Sequence, residues 1–201
     1  MRTLHSIQPE FKVWIRCKDM GGHSFTIRNV DIPQQPAVVW EQKGNKLLLG
    51  DVSEWFHKSS TCNGVRTIIN LCPEMVCQDS TYYQRATELN VLLVSIPAQD
   101  NKTYDIISEA CPDEFLDFIH HRLQLGSVLV TCWAGCNRSA AVVLATMVLK
   151  YNVDIIDAFR LISKQRGQIL TNYHFRLLLV KAFLTQQDKK SNQSQTLSCA
   201  V

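Results

Sequence analysis

The chain has 201 residues, 46% of them hydrophobic, which suits one core-bearing domain with short extensions. A formal net charge of +3 is too mild to argue for nucleic acid, and no apolar run reaches membrane-spanning length. Eight cysteines are scattered without paired C-x-x-C motifs and no secretory signal opens the sequence, so the expectation is reduced thiols in the cytosol or nucleus, with no metal and no cofactor.

Residues 1–36 open with an alternation of Phe11, Val13, Ile15 and Cys17, then Gly21-Gly22, then Phe25 and Ile27. This reads as a hairpin extension ended by Pro33 and Pro36. From residue 37 onward, strand and helix patterns alternate. Short apolar runs predict strands at 37–41, 46–49, 65–71, 91–96 and 127–131, with Gly44-Asn45 turning the first into the second. Longer patterns predict helices at 51–59, 79–89, 112–124, 139–151, 154–166 and 172–186. Asp51, Asp154 and Asn172 are the expected caps, and Gly167 closes the penultimate helix. The alternation implies an α/β fold over residues 37–186: a mostly parallel central sheet of about five strands with helices on both faces. Residues 187–201 are polar and read as a disordered tail.

One segment carries the chemistry: Thr131-Cys132-Trp133-Ala134-Gly135-Cys136-Asn137-Arg138-Ser139. The apolar run Ser127-Val128-Leu129-Val130 precedes it, and the apolar stretch Ala140–Leu149 follows. A strand, a tight loop and a helix N-terminus together make an anion cradle, with backbone N–H groups and the helix dipole favouring negative charge. A thiol in that cradle should lose its proton easily. An Arg on the same loop can fork onto two phosphate oxygens. The chemistry suggested is attack of a thiolate on a phosphate ester. In open α/β sheets ligands sit beyond the C-terminal strand ends, and both Cys132 and Asp100 directly follow predicted strands.

The segment resembles the signature loop of the cysteine-dependent protein phosphatases, and in particular their dual-specificity branch: His-Cys, five residues, Arg, then Ser or Thr. Cys132, Gly135, Arg138 and Ser139 match, and Thr131 stands where the family has His. The family carries a general-acid Asp about thirty residues before the Cys, and Asp100 lies 132 − 100 = 32 residues before Cys132. Lys46–Gly50, Val65–Leu71 and Gly167–Asn172 also resemble family segments, so the likeness covers roughly residues 37–185. The length and the late position of the Cys favour the dual-specificity branch over the tyrosine-specific and low-molecular-weight ones.

The resemblance implies a phosphatase acting on phosphotyrosine and phosphoserine/threonine in proteins through a phosphocysteine intermediate. Cys132 is then the nucleophile, Arg138 the phosphate clamp, Asp100 the acid and base, and Ser139 the donor that eases departure of sulfur. Asp105 is the alternative acid. Trp133, Ala134, Gly135, Cys136, Asn137 and Arg138 surround the phosphate. Cys72, at a strand end on the same sheet edge, is the candidate to trap an oxidised Cys132 as a disulfide, with Cys136 the alternative. His120-His121 read as a solvated helix end. The expected partners are phosphorylated proteins, not nucleic acid or membrane. Alternatives are an RNA 5′-phosphate, since Asn137-Arg138 resembles the RNA 5′-triphosphatase branch, a phosphoinositide, or a phosphate-binding pseudophosphatase acting as an interaction protein.

Overall fold

The structure is a computed structural model that describes residues 36–52, 64–75 and 80–198. The predicted N-terminal hairpin and most of the predicted helix 51–59 lie outside the described residues. Five strands form one sheet: β1 (Ala37–Gln42), β2 (Asn45–Asp51), β3 (Val65–Asn70), β4 (Leu92–Ser95) and β5 (Ser127–Cys132). Their order across the sheet is β1-β2-β5-β3-β4. Only β1 runs antiparallel to its neighbour. Lys43 and Gly44, at φ 50° and 82°, make the two-residue turn from β1 to β2. Positive φ at both central positions matches the right-handed twist of a hairpin. The turn therefore falls one residue earlier than predicted. Asn45 starts β2 and its side-chain amide donates to the Leu123 carbonyl at 2.9 Å.

The remaining sheet is the predicted parallel one. β5 occupies its centre and is buried at every position, as a strand covered on both faces must be. The helices are α1 (Ser80–Glu88), α2 (Ile106–Ala110), α3 (Asp113–Leu125), α4 (Arg138–Ala145), α5 (Ile155–Arg166) and α6 (Tyr173–Ser198). α4 is buried along its whole length and directly continues β5 through the Cys132–Asn137 loop. Val142, Val143 and Leu144 are fully enclosed, each stabilising the fold by about 1.5–3 kcal/mol. This anchoring sets the loop between two fully buried elements.

Three local features differ from the sequence reading. α2 was not predicted; five residues are too few for a hydrophobic period, and its visible signal is the Asp105 cap, which accepts from the Ile107 and Ser108 N–H groups at 3.1 and 3.0 Å. The helix predicted over 139–151 changes to π geometry at Thr146–Lys150, where the Thr146 hydroxyl bonds back to the Val142 carbonyl at 2.8 Å. Finally, α6 does not stop at 186. The stretch expected to be disordered from 187 is helical through Ser198, and Lys190 reaches Asn152. Gln, Asp and Lys are polar enough to suggest disorder, yet Gln and Lys are also good helix formers once a buried helix nucleates them.

Candidate active site

Cys132 is the last residue of β5, and its side chain is 2% exposed at the floor of the loop. Its Sγ lies 3.1 Å from the Ser139 hydroxyl, in the first turn of α4. Ser139 is fully buried, so its hydroxyl is committed to this sulfur-facing position. Thr131 precedes Cys132 on the central strand. It is fully buried, and its hydroxyl donates across the sheet to the Ile69 carbonyl at 3.4 Å. It thus acts as a structural hydroxyl of the sheet and itself supplies no chargeable ring.

Gly135 is required by the shape of the loop. Its φ of 65° is in the left-handed region, and a Cβ there would lie 2.8 Å from the Gly50 carbonyl and collide with Arg166. Arg166 braces the loop from below. Its side chain is almost completely buried, with Nη2 at 3.4 Å from the Asp51 carboxylate and 3.5 Å from the Ala134 carbonyl. The Cys136 carbonyl accepts from the Leu170 N–H at 2.8 Å, which ties the far side of the loop to the α5–α6 connection. Trp133 is 57% exposed and forms part of the outer rim.

Arg138 begins α4 and is buried. One terminal nitrogen, Nη1, donates to the Leu71 carbonyl (3.1 Å), the Ala98 carbonyl (3.0 Å) and the Glu74 carboxylate (3.1 Å). Its Nε is buried and has no partner among the described residues. A guanidinium held firmly from one side, with a dry donor left over, is arranged to receive an anion.

Asp100 sits in the β4–α2 connection with an exposed carboxylate. One oxygen accepts from the Asn137 side-chain amide and the other from that of Asn172, both at 2.9 Å. Asp105, the alternative acid, is committed to capping α2 and also accepts from the Ser108 hydroxyl. The structure therefore joins Asp100, and not Asp105, to the signature loop.

Cys72 follows β3, the strand adjacent to β5, and is fully buried. Its thiol donates to the Asn70 side-chain carbonyl at 3.3 Å. Burial pushes the Cys72 thiol up to about 12, although the Arg138 charge pulls the other way. Burial, with the Cys132 charge close by, pushes Cys136 up to about 11. Its thiol donates to the Ala134 carbonyl at 3.1 Å. His120 is not part of the site; its Nδ1 is 3.0 Å from the Tyr151 hydroxyl, and Tyr151 stacks on Trp40. Glu74, Asp51 and Arg166 support the site without having been predicted to. Asn172 was predicted only as a helix cap, a job it does by accepting from the His174 N–H at 3.1 Å.

Comparison with known proteins shows the family and the fold. The family profile described as "Dual specificity phosphatase, catalytic domain" matches residues 48–183. Dual specificity protein phosphatase 2 of Mus musculus is 37% identical over 82 residues, 40% of this chain and 25% of that protein. Dual specificity protein phosphatase 4 of Rattus norvegicus is 34% identical over 109 residues, 53% of this chain and 25% of that protein. The matched regions thus span about a quarter of these relatives' length. Among solved structures, human DUSP28 superposes with a TM-score of 0.64 at 19% identity, covering 78% of this chain and 97% of that one. A mouse putative dual specificity phosphatase complexed with zinc tungstate gives 0.64 at 20% identity, covering 83% and 97%. The solved structures establish the α/β fold, and the profile match over most of the chain establishes that it belongs to the dual-specificity phosphatase catalytic-domain family.

Proposed function

We propose that this chain hydrolyses phosphate monoesters of tyrosine, serine and threonine in proteins through a phosphocysteine on Cys132. The observation that carries the reading is the Cys132–Ser139 pair beside a buried Arg138 whose Nε has no partner among the described residues. In the first step the Cys132 thiolate attacks phosphorus in line. The S–P bond forms, the P–O bond to the leaving group breaks, and Asp100 gives its proton to the departing oxygen. In the second step water attacks phosphorus, the Asp100 carboxylate takes its proton, and the Cys132 thiolate leaves. Ser139 donates to the sulfur as its charge develops. Arg138 and the loop amides hold the equatorial oxygens throughout.

The test is a leaving-group series. Asp100→Ala should lower kcat/KM by about 10²–10⁴-fold on a phosphoseryl peptide or phenyl phosphate, whose leaving oxygens need a proton. The loss on 4-nitrophenyl phosphate should be much smaller, because nitrophenolate departs unprotonated. Equal losses on both kinds of substrate would remove Asp100 from the proton-transfer role. Turnover of phosphotyrosyl peptides alone would narrow the substrate class to tyrosine.

Under the same reading Cys72 is the partner of an oxidised Cys132. Peroxide converts the Cys132 thiolate to a sulfenic acid; the Cys72 thiolate then attacks that sulfur and hydroxide leaves. The attacking thiol works only when ionised, and burial holds Cys72 near 12. Well below that value its thiolate fraction rises about tenfold per pH unit. Disulfide formation from preformed sulfenic acid should therefore accelerate about tenfold per unit between pH 7 and 9. Quenched mass spectrometry reads both rate and pairing. A pH-independent rate, or a Cys132–Cys136 peptide, would remove Cys72 from this role.

A further inference from the structure

We propose that Asn137 and Asn172 are positioning residues that hold the Asp100 carboxylate over the phosphate loop through their side-chain amides. The proposal rests on the reading of Asp100 as the proton donor and adds what keeps that donor in place.

Asn137 is the residue before the first turn of α4, the N-cap position, where an Asn side chain ordinarily accepts from the helix's own N–H groups. Here it makes no such cap bond. Instead its amide nitrogen donates to Asp100 Oδ2, while its Oδ1 accepts from the Thr171 hydroxyl and the Asn172 N–H, each at 3.1 Å. Those two donors fix which end of the carboxamide is oxygen, so the NH₂ end must face Asp100. Asn172 is fixed in the same way. Its Oδ1 accepts from the His174 N–H, so its NH₂ end faces Asp100 Oδ1 and the Asn101 carbonyl. Both carboxylate oxygens are thereby held by amides whose orientations are set elsewhere.

The carboxylate needs such support. Asp100 is exposed and lies in a connection without regular structure, where ordering a side chain costs conformational entropy. Neutral carboxamides suit the task. They cannot exchange a proton with the carboxyl group or bring a competing full charge, and each carboxylate oxygen keeps a second lone-pair direction for the transferred proton. The same loop is anchored two residues earlier, where the Ala98 carbonyl accepts from Arg138. The loop that carries Asp100 is therefore registered against two adjacent residues, Asn137 and the phosphate clamp Arg138.

The test uses the full chain and two substrates, phenyl phosphate and 4-nitrophenyl phosphate. Asn137→Ala and Asn172→Ala should each lose about tenfold or more in kcat/KM on phenyl phosphate, against no more than about threefold on 4-nitrophenyl phosphate. In an Asp100→Ala background, adding Asn172→Ala should change turnover of phenyl phosphate by less than about twofold, since there is no donor left to position. A merely structural role would lower both substrates alike and would remain visible without Asp100; either result overturns the proposal. The two asparagines lie on different elements, so Asn172→Ala serves if Asn137→Ala does not fold, as judged by thermal melting. If Asp100→Ala itself shows no dependence on leaving group, it is the assignment of the donor that fails. If Asp100→Ala shows that dependence and the asparagine variants do not, the positioning role alone is refuted.

Discussion

Cys132→Ser is expected to abolish turnover while leaving anion binding in place. A serine hydroxyl in this position stays protonated at neutral pH and is a poor nucleophile toward a phosphate ester, so no phosphoenzyme forms. The binding parts are elsewhere. The proposed cradle is made by loop backbone between β5 and α4, shaped by Gly135 and braced by Arg166, and the proposed clamp is Arg138. None of these is touched when sulfur is replaced by oxygen. Hydrolysis of 4-nitrophenyl phosphate should fall to background, while calorimetry with inorganic phosphate should give an affinity within a few-fold of the unsubstituted chain. Substantial turnover by Cys132→Ser would mean that water attacks phosphorus directly. Loss of phosphate binding would mean that the sulfur, and not the loop, shapes the anion site.

The part of this site that can be read in the sequence is the part built from local structure. β5, the signature loop and α4 are consecutive, so Cys132, Arg138 and Ser139 are placed by a strand signal, a glycine and an apolar helix. Asp100 is legible because it follows another strand that ends on the same sheet edge. The supporting residues are different. Glu74 meets Arg138 across 64 positions, Asn172 meets Asp100 across 72, and Arg166 meets Asp51 across 115. No periodicity links such pairs, because only the assembled sheet and its crossovers bring them together. Arg166 in particular looks like an ordinary basic residue of a helix's last turn, favourable to the dipole, and only the fold turns it under the loop. The helical continuation to Ser198 was hidden for a related reason. Polar composition reports what a segment cannot bury, but not that a buried helix just before it has already been nucleated.

Arg138 offers the sharpest separation of structure from chemistry. Arg138→Ala removes the donor from two backbone carbonyls, those of Leu71 and Ala98, and leaves Glu74 facing an empty space. Losing the partner of a buried acceptor costs about 1–3 kcal/mol, so a lower melting temperature is expected along with lost activity. Arg138→Lys should behave differently in one respect only. A lysine ammonium carries three donors at one point, enough for the acceptors now served by Nη1, so much of the stability should return. It cannot also present the second edge of a planar fork, where Nε now has no partner among the described residues. A transition-state arginine contributes roughly 10³–10⁵ in kcat for phosphoryl transfer. Both variants should therefore lose activity on that scale, with the Lys variant close to the unsubstituted melting temperature and the Ala variant below it. Activity of Arg138→Lys within tenfold of the unsubstituted chain would show that a point charge suffices and that the free Nε edge has no part in holding the phosphoryl group.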